Sequence, residues 1–192
     1  MAALAAAFGE PSSRCEIAVV LSDIADAKIL ALARQQGVNA KHIPAGPPGP
    51  KLPASAESEF IAALREAQVD LVVLAGFMRI LKAGFIQAFS QRIVNIHPSL
   101  LPAFPGLQAW KQALEYGAKV TGCTVHFVDH GVDTGPIIAQ QTVPVMDEDT
   151  PESLHVRIQE VERLLYPATL AMLARNTVRI EGRQARIIHP RA

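Results

Sequence analysis

Three short stretches of this sequence combine residue types that could do chemistry. Asn95-Ile96-His97-Pro98-Ser99-Leu100-Leu101-Pro102 sets a carboxamide and an imidazole two residues apart. If Ile93 to Ile96 is a strand, Asn95 and His97 emerge on the same side, because strand side chains alternate with period two. Pro98 then ends the strand, and Pro102 and Pro105 stiffen the next segment, so the imidazole is expected on a rigid support. Val128 to Pro136 (VDHGVDTGP) is a loop carrying two carboxylates, Asp129 and Asp133. A carboxylate beside an imidazole fixes the ring's orientation and favours its charged form, so the functional reading needs Asp133 to reach His97. The third stretch is Ala75 to Leu81 (AGFMRIL), at the end of an apolar run. Each stretch taken alone also has a plain explanation: core packing for Phe77 and Met78, a hydrogen-bonded structural histidine, an ordinary turn.

Taken together, asparagine, histidine and aspartate suit acyl transfer to an amine. Attack on a carbonyl develops an oxyanion, to which the Asn95 amide and a protonated His97 could both donate; one such donor lowers the barrier by about 3 kcal/mol. No covalent intermediate is needed. Ser99 is the only hydroxyl near the histidine in sequence, and no Gly-x-Ser-x-Gly elbow presents a nucleophile.

The elements that must hold these residues are legible from periodicity. Glu16 to Ser22 predicts a buried strand, Ala25 to Gln36 a helix ending at Gly37, and Val38 to Ile43 a second strand, together a βαβ unit. Pro44 to Pro53 (PAGPPGPKLP) is five prolines in ten residues, so it predicts an irregular surface connection that could serve as a mobile lip. Further along, Glu57 to Ala67 predicts a helix, Asp70 to Gly76 a strand, Leu81 to Ser90 a short helix and Leu107 to Tyr116 another helix. Val120 to Val128 and Pro136 to Val145 alternate like antiparallel strands. Pro151 to about Arg175 predicts a long helix with Thr150 as its N-cap, and Val178 to Ile188 a small hairpin. The alanine-rich Met1 to Phe8 reads as the tail of a helix. The sum is an α/β fold, a mixed and mostly parallel sheet with helices on both faces, in which ligands sit past the carboxyl ends of strands.

Bulk properties narrow the function. At 49% apolar and 19% charged, 192 residues suit a single folded domain spanning 1–192. The 18 basic and 18 acidic residues cancel, which argues against a broad nucleic-acid or anionic-membrane surface and for small-molecule partners. Cys15 and Cys123 lie far apart with no metal-ligand spacing, so they read as buried thiols in a reducing compartment, without zinc or disulfide. No apolar run is long enough to span a bilayer, and the protein should be soluble and cytoplasmic.

By these motifs the chain resembles the phosphoribosylglycinamide formyltransferase family. Gly76 to Leu81, Asn95 to Pro102 and Asp129 to Pro136 carry the resemblance, in this order, and it runs from about Ala25 to Leu170. It implies a formyltransferase-like fold with a Rossmann-like N-terminal half. It also implies transfer of formyl from 10-formyltetrahydrofolate to the amine of glycinamide ribonucleotide in purine biosynthesis, without a metal, by a monomer or homodimer. The catalytic set implied is Asn95 on the formyl oxygen, His97 on the oxyanion, and Asp133 positioning His97 and assisting proton transfer through water. Met78, Arg79, Ile80 and Leu81, together with Asp129, His130, Gly131 and Val132, would line the folate pocket, the apolar lining suiting a flat ring and backbone groups reading the pterin. Glu162 would bind the nucleotide's ribose, Gly106 would also contact the nucleotide, and His126 would be supporting structure. In the family an opening strand and a Gly/Ser-rich turn hold the substrate phosphate; Met1 falls about where that turn meets its helix, so the true start is expected upstream, or the polypeptide impaired. Gln108 and Trp110 stand where the family usually has histidines. The alternatives are a formyltetrahydrofolate hydrolase and a non-catalytic folate-binding fragment.

Overall fold

The computed structural model describes residues 2–9, 13–47 and 49–188. The alignment of Met1 with a family turn falls outside them. The chain divides into two compact units, Met1–Ile93 and Val94–Ala192.

The first unit is built from α1 (Ala2–Phe8), β1 (Val20–Ser22), α2 (Lys28–Gln35), β2 (Ala40–His42), α3 (Ala54–Glu66), β3 (Val72–Val73) and α4 (Ala83–Ala88). β1 and β2 pair in parallel, Val20 opposite Ala40 and Ser22 opposite His42, with α2 as the crossover of the predicted βαβ unit. Val20, Leu30 and Ala33 form a buried cluster, packed by Ile17, Ile29, Val38 and Ala40. The chain leaves α2 through Gly37 at φ 73°, a left-handed conformation that glycine adopts without steric cost. Two predicted strands are longer in sequence than in structure: Glu16 to Ser22 contributes three strand residues and Asp70 to Gly76 two. Apolar composition dictates burial, whereas strand length is set by the partner available, and β2 has only three residues to offer β1. Glu57 on α3 is buried, and its carboxylate accepts from the Phe85 N–H at 3.2 Å, satisfying a donor in the first turn of α4.

In the second unit, β4 (Ile93–His97, its first residue at the end of the first unit) is followed by α5 (Ala109–Tyr116), β5 (Val120–Phe127), β6 (Ile137–Pro144), α6 (Pro151–Arg175), β7 (Thr177–Glu181) and β8 (Gln184–Ile188). The strands order β4-β5-β6-β8-β7; strand directions are mixed as predicted, but in this unit antiparallel pairs prevail over the expected parallel ones, only β6–β8 being parallel, because short connections join β5 to β6 and β7 to β8. The hairpin read over Val178 to Ile188 is β7–β8. β5 departs from simple alternation: Thr121 to Phe127 are all buried. A strand flanked by neighbours on both edges can bury polar side chains on either face if each finds a partner, as Thr124 and His126 do.

Against this sheet, Cys123, Val143, Leu154 and Ile158 form a core joined by Ile96, Trp110, Leu114 and Val161. Thr150 caps α6 with a reciprocal capping box: its side chain accepts from the Ser153 N–H, and the Ser153 hydroxyl accepts from the Thr150 N–H. Tyr166 donates its hydroxyl to the Val94 carbonyl at 2.9 Å, fastening the helix to β4. Burial and the neighbouring Glu162 push the Cys123 thiol up to about 12, which leaves it an inert core residue. Cys15, expected to be buried, is half-buried. Among the described residues no helix is long and apolar enough to cross a membrane.

Candidate active site

Asn95 and His97 lie on β4 and Asp133 in the β5–β6 connection, all within the second unit. The β4–β5 register sets Asn95 opposite His126 and His97 opposite Thr124. Asp133 reaches His97 as predicted: its Oδ2 stands 3.3 Å from His97 Nδ1 and accepts from the Gly106 N–H at 2.8 Å. Its other oxygen is 3.7 Å from His126 Nε2. Asp133 adopts a left-handed φ of 54°, an uncommon conformation for a non-glycine residue and one that concentrates at functional positions.

The loop that presents Asp133 is shaped by short side chains. Asp129 accepts from the Gly131 N–H at 3.0 Å and from the Thr134 hydroxyl at 2.6 Å, a local turn. Gly135 passes so close to the backbone that an added Cβ would lie 1.7 Å from the Phe127 carbonyl oxygen. Only glycine fits there.

The His97 ring is buried, and both of its nitrogens face acceptors, Nδ1 the Asp133 carboxylate and Nε2 the Phe104 carbonyl at 2.9 Å. Only the doubly protonated ring donates to both. To reach an oxyanion, the predicted role, His97 must exchange the Phe104 carbonyl for it. Phe104 itself sits at φ 54°. The connection carrying it is held by a buried network in which Thr124 donates to the Ser99 carbonyl at 2.7 Å and accepts from the Leu101 N–H at 3.0 Å. Gln140 donates to the Leu101 carbonyl at 2.9 Å. Ser99 is fully buried and gives its hydroxyl to the Ala103 carbonyl, so it is no nucleophile.

His126, read from sequence as supporting structure, stands beside Asn95. Its Nδ1 lies 2.9 Å from the Phe127 carbonyl, which can only accept, so Nδ1 carries the proton. Burial pulls its pKa below the ordinary histidine value and outweighs the attraction of Asp133. The neutral ring therefore presents the Nε2 lone pair to the Asn95 Nδ2, 3.4 Å away. That contact decides which way the Asn95 amide faces and leaves its second N–H for another acceptor. The signal lies in the cross-strand register, which the sequence alone does not fix.

The remaining predicted residues differ in what they can offer a ligand. Met78 and Ile80 are exposed, at 70% and 52%, whereas Leu81 is buried at 8% and offers its backbone rather than its side chain. The Arg79 guanidinium is engaged by Asp23 and by loop carbonyls within the first unit, leaving the Arg79 backbone as its available part. His130, Gly131 and Val132 are exposed and Asp129 half-buried. Gly106, expected to contact substrate, has given its N–H to Asp133. Glu162 is half-buried on α6, and burial raises its carboxyl to about 7. Trp110 lies flat on His155, with ring centroids 3.6 Å apart and planes 2° from parallel, and Gln159 Nε2 stands 3.2 Å from His155 Nε2. Among the described residues no group of three or more His, Cys, Asp or Glu side chains is arranged to hold a metal ion.

A formyl transferase family model matches residues 1–170. Phosphoribosylglycinamide formyltransferase of Mycobacterium tuberculosis is 56% identical over 124 residues, 65% of this chain and 58% of that enzyme. The Bacillus subtilis enzyme of the same name is 43% identical over 159 residues, 81% of this chain and 79% of that one. The trifunctional purine biosynthetic protein adenosine-3 of Drosophila melanogaster is 53% identical over 124 residues, but these span only 9% of its length. Among solved structures, glycinamide ribonucleotide transformylase 1 from Symbiobacterium toebii superposes with a TM-score of 0.83 at 49% identity, covering 90% of this chain and 81% of that chain. With the family's pattern matched along 170 residues and its namesakes similar in both sequence and fold, the chain belongs to the formyl transferase family and, within it, groups with the phosphoribosylglycinamide formyltransferases.

Proposed function

We propose that this chain transfers the formyl group of 10-formyltetrahydrofolate to the amine of glycinamide ribonucleotide, a step of purine biosynthesis. The observation carrying the reading is the 3.3 Å approach of Asp133 to His97, with Asn95 oriented beside them by His126. The substrate amine attacks the formyl carbon to give a tetrahedral oxyanion; its collapse restores the carbonyl as the bond to the folate nitrogen breaks, and the proton lost by the amine ends on that folate nitrogen. The unclaimed Asn95 N–H donates to the formyl oxygen as it becomes an oxyanion. His97 adds a second donor once Nε2 leaves the Phe104 carbonyl, and Asp133 keeps the ring oriented while relaying the proton through water.

In this reading Met78 to Leu81 and Asp129 to Val132 contact the folate, Glu162 accepts from the ribose hydroxyls, and residues 1–192 are a single catalytic domain. The protein works in the cytoplasm on small molecules, without a metal. The test is an assay of tetrahydrofolate formation with both substrates, in which product is expected only when the nucleotide is present. Absence of turnover would reject the reading. Formate release without nucleotide would instead favour hydrolysis of the formyl-folate.

A further inference from the structure

The segment Pro44 to Pro53 has ten carbonyls but, with five prolines, only five N–H groups, so it is rich in acceptors and short of donors. A single side chain makes good that shortage. Arg79 Nε donates to the Asp23 carboxylate at 2.6 Å; Nη1 lies 3.2 Å from the Lys51 carbonyl and 3.4 Å from that of Gly49; Nη2 lies 3.2 Å from the Pro47 carbonyl and 3.4 Å from that of Gly46. A guanidinium has five N–H donors, and here five oxygens receive them. The Arg79 side chain is only 7% exposed and that of Asp23 15%. The next residue extends the contact: the Ile80 N–H donates to the Pro50 carbonyl at 2.8 Å, and Lys51 bridges Ile80 in parallel. The predicted mobile lip is therefore fastened, by side chain and backbone together, to the segment from Met78 to Leu81.

We propose that Arg79 is a positioning residue for the formyl-folate: its guanidinium fastens the 46–51 loop and thereby fixes the backbone from Met78 to Leu81 in the form that the folate reads. This rests on the functional reading above, in which that backbone contacts the folate. Lysine would not replace it, because an ammonium is a compact three-donor charge that cannot span one carboxylate and four carbonyls.

The test compares Arg79→Ala and Arg79→Lys with the parent full-length chain by two readouts. The first is steady-state kinetics: both variants are expected to raise KM for 10-formyltetrahydrofolate by about tenfold or more, with KM for the nucleotide and kcat within about twofold. Guanidinium chloride at millimolar concentration should lower the folate KM of Arg79→Ala, and ammonium chloride should not. The second readout does not involve folate: tryptic cleavage after Lys51, followed by mass, should be faster in both variants. Should Arg79→Ala fail to fold, Arg79→Lys, which keeps the charge beside Asp23, carries both readouts. Unchanged cleavage, or faster cleavage with an unchanged folate KM in an active enzyme, would overturn the inference alone. A parent chain that neither binds nor turns over formyl-folate would overturn the functional reading, and this inference with it.

Discussion

Asp133 is held at one oxygen by two partners: the Gly106 N–H donates to Oδ2, and His97 Nδ1 lies against the same atom. Replacing it by asparagine keeps the size but removes the carboxylate oxygen against which His97 Nδ1 is oriented. Asp133→Asn should lower turnover by at least ~100-fold with an unchanged far-UV circular dichroism spectrum, and rates near those of the parent would contradict the assigned role. Glu162 makes a different statement, about pH. Its carboxyl keeps a proton up to about 7 in the folded chain but only to about 4.5 when free of burial. Between those values the unfolded chain binds fewer protons than the folded one, so stability falls as pH rises through that window and levels off above it. Glu162→Gln removes the effect: its Tm should exceed the parent's by a few degrees at pH 8 and match it near pH 4. Equal melting points at both pH values would show that the carboxyl titrates normally.

At the scale of elements, two features set apart stability and activity. The capping box at Thr150 belongs to the start of α6, remote in sequence from β4 and from the loop of Asp133. Thr150→Ala should cost about 1 kcal/mol, seen as a Tm lower by roughly 2–4 °C, with turnover retained. Gly135→Ala should do the reverse in emphasis, because the Cβ would meet the Phe127 carbonyl and push aside the loop that presents Asp133. Its turnover should fall by more than its thermal shift explains; comparable losses in both variants would dissolve the distinction. The same contrast marks what is legible in the sequence. The long helix is readable because Thr150-Pro151 announces its start and a 25-residue pattern sustains it. Asn95 and His97 are readable as neighbours because a strand's period is fixed by covalent geometry. β3 is shorter than its apolar run because hydrogen-bonded partners, and not apolar residues, define a strand. The hold of His126 on Asn95 and of Arg79 on the proline-rich loop depends on residues 31 and about 30 positions apart, a separation that no local pattern encodes.

For the whole molecule, equal numbers of acidic and basic side chains leave no net repulsion between copies at neutral pH. Solubility in low salt should pass through a minimum near pH 7 and rise on both sides, as followed by light scattering; a flat profile would mean that charge balance is not what governs association. The stack of Trp110 on His155 has a consequence of another sort. It is the chain's one tryptophan, so ultraviolet emission excited at the indole band reports from a single place, where α5 meets α6. A protonated imidazole quenches an indole that it touches, and burial pulls the pKa of His155 below the ordinary histidine range. The glow should therefore stay bright through neutrality and dim only in mild acid, and His155→Leu should make it indifferent to acid, giving the protein an optical gauge of its own helix junction without any attached dye.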